Sequence, residues 1–194
     1  MIFDKLSKFL YYSNPIRISR RGACLKALRC CRDSPLIICG VGVGRGDNAL
    51  NMLRFMPIDH LYLIDPYIPY IEDSDNIRIY SVEHIDERTI AYSKLSPYND
   101  KISFIYKHSN IAIKLFEDNF FDFVYINGNH SLIYEDMTLW YPKVKQGGIL
   151  AGHDVNHRKV LDSFIRFIQE YNIKEYGIGD CEEQLHPDWW LVKT

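Results

Sequence analysis

Residues 35–47 read PLIICGVGVGRGD, and this stretch decides the fold. It opens as an unbroken apolar run, the pattern of a strand buried on both faces. Glycines then stand at alternate positions, Gly40, Gly42, Gly44 and Gly46. The next residues, DNALNMLRFM, put Leu50, Leu53 and Phe55-Met56 on one side at helical spacing, and Pro57 follows the helix end. A buried strand, a tight glycine turn and a helix start form a site for an anionic or nucleoside ligand. Glycine serves there because it carries no Cβ to obstruct a positive φ or a close ligand.

Outward from that stretch, strands and helices alternate. Strands are expected at Leu61–Ile64, Ile102–Tyr106, Phe121–Ile126 and Ile149–Ala151. Helices are expected near Glu83–Leu95, Asn110–Phe116, around Ile133, Met137 and Trp140, and at His157–Tyr171. Residues 67–100 are otherwise polar and aromatic. Two last strands, near Lys174–Ile178 and Trp189–Val192, flank a polar loop. The implied class is α/β: a Rossmann-like, doubly wound, seven-stranded sheet, mostly parallel, with an antiparallel C-terminal hairpin strand. Ligands bind such sheets at the carboxyl ends of the strands. Those ends are Gly40–Gly46, Asp65, His108-Ser109, Asn127–His130 and His153-Asp154.

Composition bounds the rest. The 194 residues are 47% hydrophobic and carry a formal charge of -2, which fits one core and no general polyanion binder. Residues 1–33 hold eight Lys/Arg against Asp4 and Asp33, so the remainder is acidic. The chain therefore reads as a basic helical extension, 1–33, followed by the main domain, 34–194. Basic residues between apolar ones at helical spacing favour a helix docked on the domain over an arm for an acidic surface. The five cysteines are odd in number and lack zinc spacing, which suggests reduced thiols and a cytoplasmic protein. No apolar run reaches membrane-spanning length, so no membrane partner is expected.

The glycine spacing narrows the ligand. A dinucleotide fingerprint GxGxxG begun at Gly40 or Gly42 would place its third glycine on Arg45 or Asp47. Begun at Gly44 it reaches Ala49, late after the strand. No Gly-Lys-Ser/Thr follows, so the P-loop is absent. What fits is GxGxG at Gly42, Gly44 and Gly46, with Asp65 about twenty residues on as a two-oxygen acceptor for ribose hydroxyls.

GxGxG followed by Asp65 resembles motif I and the ribose acid of class I S-adenosylmethionine-dependent methyltransferases. Residues 121–154, FDFVYINGNHSLIYEDMTLWYPKVKQGGILAGHD, sharpen this. They resemble a branch reading roughly FDxVxIDGxH and then DLxxWxPxxxxGGxxxxHD, which includes sugar and small-molecule O-methyltransferases of the macrocin type. The matches are Asp122, Gly128, His130, Asp136, Trp140, Pro142, Gly147, Gly148, His153 and Asp154. The resemblance covers about Pro35–Lys193. It implies S-adenosylmethionine as cofactor, a hydroxyl of a small molecule or sugar as acceptor, and cofactor contacts from Gly40, Gly42, Gly44, Gly46, Asp65, Tyr67, His108, Ser109 and Asn127. The chain departs from the pattern at Gly40, where an acid is usual, at Asn127 in place of the IDG aspartate, and at His108 in place of an aspartate near the adenine. The stretch His130–Asp136 is also shorter than usual.

Metal-dependent relatives carry acids where Asn127, His153 and Asp154 stand. An amide, an imidazole and one carboxylate are a poor set for Mg²⁺ or Ca²⁺ and shift the preference toward Mn²⁺, Fe²⁺ or Zn²⁺. The alternative is a hydrogen-bonded corner with no metal. His130 is the expected proton acceptor, since a histidine of pKa about 6.5 suits that task at neutral pH. His153 is the second choice, with Asp154 to orient either; His130 as a packing residue stays open. Tyr67 is open between an adenine stack and the surface. Trp140, Trp189 and Trp190 are expected in the core. A catalytically degenerate binding protein or partner subunit is the rival reading, on the strength of Gly40 and Asn127. Near-neutral charge and the lack of an Asn-Pro-Pro-Tyr-like base-flipping motif argue against a nucleic-acid substrate. A homo-oligomer is left open.

Overall fold

The computed structural model describes residues 22–30, 35–68, 71–74, 77–80, 84–179 and 187–194. Most of the basic extension read over 1–33, and Cys31 and Cys181, lie outside these. In chain order the elements are α1 (Gly22–Cys30), β1 (Leu36–Val41), α2 (Asp47–Phe55), β2 (Ile58–Ile64), β3 (Ile71–Ser74), β4 (Ile77–Tyr80) and α3 (His84–Leu95). There follow β5 (Ile102–Ile105), α4 (Ser109–Ala112), β6 (Phe121–Ile126), α5 (Ile133–Trp140), β7 (Val144–Gly152), α6 (Arg158–Glu170), β8 (Tyr176–Ile178) and β9 (Trp189–Val192).

Seven strands form one sheet in the order β5-β2-β1-β6-β7-β9-β8. The five from β5 to β7 are parallel, and β9 runs antiparallel to both β7 and β8. This is the expected doubly wound architecture. Alternate residues of β1 face opposite layers. Leu36 and Ile38 join Ala23, Met52, Leu63 and Tyr125 on one side. Cys39 and Val41 join Met137, Trp140, Phe164 and Trp189 on the other. Both faces are therefore covered by helices, as a near-continuous apolar strand requires. The clean period of α6 buries Val160, Phe164 and Phe167, each worth about 1.5–3 kcal/mol.

Three parts differ from expectation. β2 starts at Ile58 rather than Leu61, because the Leu36 amide donates to the Pro57 carbonyl and brings the strand into register early. β7 starts at Val144, and Gly147-Gly148 form a bulge inside it rather than its beginning. The register steps from Phe121–Val144 to Phe123–Ile149, and Gly147 takes φ 75°. Residues 71–80 contain an antiparallel hairpin, β3–β4, where no strand was expected.

The described part of the N-terminal extension is packed on the sheet. Ala23, Cys24 and Ala27 of α1 are buried, and Lys26 pairs with Glu175 and lies over the Trp190 ring. Cys39 is a free thiol inside β1, and burial pushes its pKa up. No helix among the described residues is long and apolar enough to cross a membrane.

Candidate functional site

Where β1 ends, its chain must turn away from β6 at close quarters. The Gly42 amide donates to Ile64 O, and the neighbouring Asn127 amide donates to Val41 O. A Cβ at Gly42 would sit 2.0 Å from the Asn127 carbonyl oxygen, and φ there is +86°. Both facts demand glycine. At Gly44, φ is +51° but a Cβ would meet nothing within 4 Å. The space beside Gly44 belongs to a cavity.

Asp65, at the end of β2, organises this turn. Its Oδ2 accepts from the amides of Val43 (2.8 Å) and Gly44 (3.1 Å), and its Oδ1 accepts from the amide of Tyr67 (2.8 Å). A carboxylate offers about four acceptor positions, so one remains, on Oδ1. Asp65 is thus first a clamp on the glycine turn, with reduced capacity for a ribose. Tyr67 completes the clamp. Its hydroxyl donates to Gly44 O at 3.0 Å, and the residue is held at φ 49°. It is 6% exposed and does not line the cavity, so neither the adenine stack nor the surface placement holds. Burial first, and the Asp65 charge second, push its phenol well above the ordinary range.

The cavity measures about 990 Å³ and opens along the carboxyl ends of β1, β2, β5 and β6. Of the expected cofactor residues, Gly42, Gly44, Asp65, His108, Ser109 and Asn127 line it. Gly46 starts α2 at φ 76° and lies just outside. Gly40 is buried within β1 opposite Leu63 and Tyr125, away from the cavity. A Cβ there would make only an ordinary contact, 3.5 Å from Leu63 Cδ2, so packing does not require the glycine. The ionisable lining is Arg45 and His108 against Asp47, Asp65, Glu87, Glu135 and Asp136. That balance favours a cation or neutral nucleoside over a polyphosphate. Open space at the glycine turn, an acid-rich wall and the cavity volume together fit S-adenosylmethionine, a sulfonium nucleoside.

Asp136 was read as part of the resemblance but not as a site residue. It is 6% exposed, faces the cavity and accepts a hydrogen bond from the Ser109 hydroxyl. Ser109 Oγ in turn accepts from Trp140 Nε1 at 2.7 Å. Desolvation raises the Asp136 pKa to about 6, against the lowering effect of Ser109. In sequence, an acid in the first turn of a helix looks like a partner for the helix dipole; only burial distinguishes it.

His130, His153 and Asp154 are brought together at the ends of β6 and β7, beside the cavity rather than in its wall. Asp154 Oδ2 lies 3.0 Å from His130 Nε2 and 3.2 Å from His153 Nδ1. The His130 and His157 rings lie against each other at a 35° tilt, centroids 4.5 Å apart. Burial would raise the Asp154 pKa, but the two histidine hydrogen bonds outweigh it and hold the carboxyl well below the ordinary range. Both candidate bases therefore donate to one carboxylate oxygen, through different ring nitrogens. His130 donates from Nε2 to Asp154, so its lone pair falls on Nδ1, which protein atoms bury. His153 donates from Nδ1, which leaves its lone pair on Nε2. Within the expected metal set of Asn127, His153 and Asp154, the last two are hydrogen-bonded to each other through His153 Nδ1. Among the described residues no three His, Cys, Asp or Glu side chains are grouped to hold one.

A family model described as a methyltransferase domain matches residues 40–155. No curated protein matches the sequence. Solved structures share the fold at low identity. An rRNA methylase from Streptococcus thermophilus superposes with TM-score 0.64 at 12% identity, over 94% of this chain and 98% of that one. Precorrin-6y C5,15-methyltransferase from Geobacter metallireducens gives 0.62 at 10%, over 89% and 87%. Spermidine synthase from Thermotoga maritima gives 0.63 at 12%, over 92% of this chain; the chain spans 59% of that enzyme's length. With more than half its length matched by the family and its cavity suited to the methyl donor, the chain belongs to the class I S-adenosylmethionine-dependent methyltransferases.

Proposed function

We propose that the protein transfers a methyl group from S-adenosylmethionine to a hydroxyl of a small molecule or sugar. The observation that carries this is the acid-lined cavity of about 990 Å³ over the glycine turn. Ligand pockets run to about 300–1,000 Å³, so this one has room for the cofactor and a small acceptor together. When bound, the cofactor supplies an activated methyl and a neutral leaving group. The chain supplies position and a proton acceptor. The open space beside Gly44 admits the nucleoside, and the remaining Oδ1 acceptor of Asp65 holds its ribose. His153, oriented through Nδ1 by Asp154, takes the acceptor's hydroxyl proton at Nε2. No step is assigned to a metal.

Gly40 favours a second reading, a binding protein that keeps the cofactor site without turnover, because glycine stands where the resemblance places an acid. One assay separates the two. Labelled methyl from S-adenosylmethionine should appear on a hydroxylated acceptor from a sugar and small-molecule panel, and His153→Gln should slow it at least about 100-fold. Cofactor binding without transfer to any acceptor would support the second reading. Undiminished turnover in His153→Gln would remove it as the proton acceptor.

A further inference from the structure

The two ends of the sheet are finished differently. β5 forms one end and β8 the other. An open edge strand offers its backbone groups to any other strand, and charged side chains guard against this. β5 is guarded. Lys101 and Lys107 stand exposed just beyond its two ends, and antiparallel pairing of two copies about Phe104 would set one lysine against the other. The Arg88 guanidinium also covers the Tyr106 ring, 3.9 Å from its centroid.

β8 has no such guard. Its ladder with β9 fixes which groups face out. The Val192 amide donates to Glu175 O, and the Gly179 amide donates to Asp188 O. Bonded pairs alternate along an antiparallel ladder, so Gly177, midway between, is the residue bonded to Trp190. Tyr176 and Ile178 therefore turn their N–H and C=O groups to the outer edge. Among the described residues no strand pairs with that edge. The side chains of Tyr176 and Ile178 are 49% and 52% exposed. Both lie on the α6 side of the sheet, where Tyr176 meets the Phe164 ring edge-on. α6 extends the patch. Its Arg166, Phe167 and Glu170 face α5 through Tyr134. Leu161 and Ile165 therefore emerge on the opposite side of the helix, toward β8, and both are exposed. The charges around them are already paired: Arg158 with Asp162, Arg166 with Glu170, and Glu175 with Lys26.

We propose that the β8 edge receives a second copy of this chain, the two β8 strands pairing antiparallel about a two-fold axis at Gly177. In that register Tyr176 of one copy exchanges both backbone hydrogen bonds with Ile178 of the other, so each outward group finds a partner. Gly177 brings no side chain to the axis; a Cβ there would lie 2.5 Å from the Trp190 ring. On the α6 side the register sets Tyr176 against Ile178, a favourable aromatic–β-branched pair, and brings Leu161 and Ile165 of both helices over them. From Glu175 to Gly179 it opposes no like charges. This self-complementarity is what favours a second copy over a foreign strand, since one patch used by both copies closes with two-fold symmetry. Stable interfaces bury about 1,200–2,000 Å² in all; two short strands and two helix flanks place this one at the lower end, with association in the micromolar range.

The test is analytical ultracentrifugation of the full chain from about 1 to 100 µM. The wild type should pass from the mass of one chain to that of two as concentration rises. Ile178→Lys places a guarding charge on the edge and should raise the dimer dissociation constant at least about 30-fold. Because Ile178 is half exposed, its melting temperature measured at low, monomeric concentration should stay within about 2 °C of the wild type. If Ile178→Lys does not fold, Ile165→Asp on α6 serves, with a weakening of at least about 10-fold expected. Tyr106→Lys, at the opposite end of the sheet, should leave the dimer intact. A wild type that keeps the mass of one chain throughout overturns the proposal and leaves the edge to a different partner. A dimer undiminished in a folded Ile178→Lys or Ile165→Asp overturns it as well, as does one lost in a folded Tyr106→Lys.

Discussion

Three aspartates show how one residue type takes three roles. Asp65 accepts three amide bonds around the glycine turn, and net gains of about 1.5–3 kcal/mol are usual for a charged acceptor's bond. Asp65→Ala should therefore cost at least about 2–4 kcal/mol in urea unfolding, beyond abolishing cofactor affinity; an unchanged midpoint would mean the clamp is incidental. Asp136 has the opposite sign. Its folded pKa of about 6 lies above the unfolded value of about 4, so the folded state binds the proton more readily. Its ionisation penalises folding, fully so above pH 6. Asp136→Asn should raise stability at pH 8 by up to about 3 kcal/mol, with the gain vanishing as pH falls toward 4; thermal melts at the two pH values check it. Asp154 is depressed, so its contribution is present above pH about 4 and lost below as the carboxylate protonates. Asp154→Asn should flatten the acid limb of the stability profile. Asp65 was legible from spacing, and Asp154 as a partner for either histidine from the resemblance; the buried position of Asp136 was not, because packing across the sheet decides it. His130 illustrates the same limit: its position in the motif was readable, but which nitrogen meets Asp154 was not.

At the scale of elements, legibility followed pattern length. β1, β6 and α6 carry long runs or a clear period, and they were readable nearly to the residue. The β3–β4 hairpin has two strands of four residues each, too short for alternation to stand out from a polar stretch. The start of β7 was hidden by Gly147-Gly148, a pair that signals a turn locally but here makes a bulge against Asp122. The glycine turn itself separates into packing and ligand space. Gly42→Ala would drive a Cβ into the Asn127 carbonyl and should prevent soluble expression or folding. Gly44→Ala meets open space and should cost only about 1–2 kcal/mol for its left-handed backbone. It should fold, with melting only modestly lowered, yet carry a methyl group into the cavity. Equal tolerance of both substitutions would contradict the division.

Across the whole molecule, the parallel sheet gathers five strand ends along one edge, and helices on both faces leave that edge open. Topology alone explains why residues as distant as Gly44, Asp65, Ser109 and Asp136 share one cavity. That convergence was legible once strands and helices were seen to alternate. The division of the edge was not: the cavity opens over β5, β2, β1 and β6, while the histidine–aspartate corner sits beside it at the ends of β6 and β7. The described part of the basic extension packs on the sheet through the buried face of α1. The central claim is that the cavity over the glycine turn holds the cofactor. Calorimetric titration of S-adenosylhomocysteine into the wild type and Gly44→Ala tests it most directly. The expected result is saturable binding of one ligand per chain, weakened at least 10-fold in folded Gly44→Ala. No saturable binding by the wild type, or the same affinity in both proteins, would contradict it.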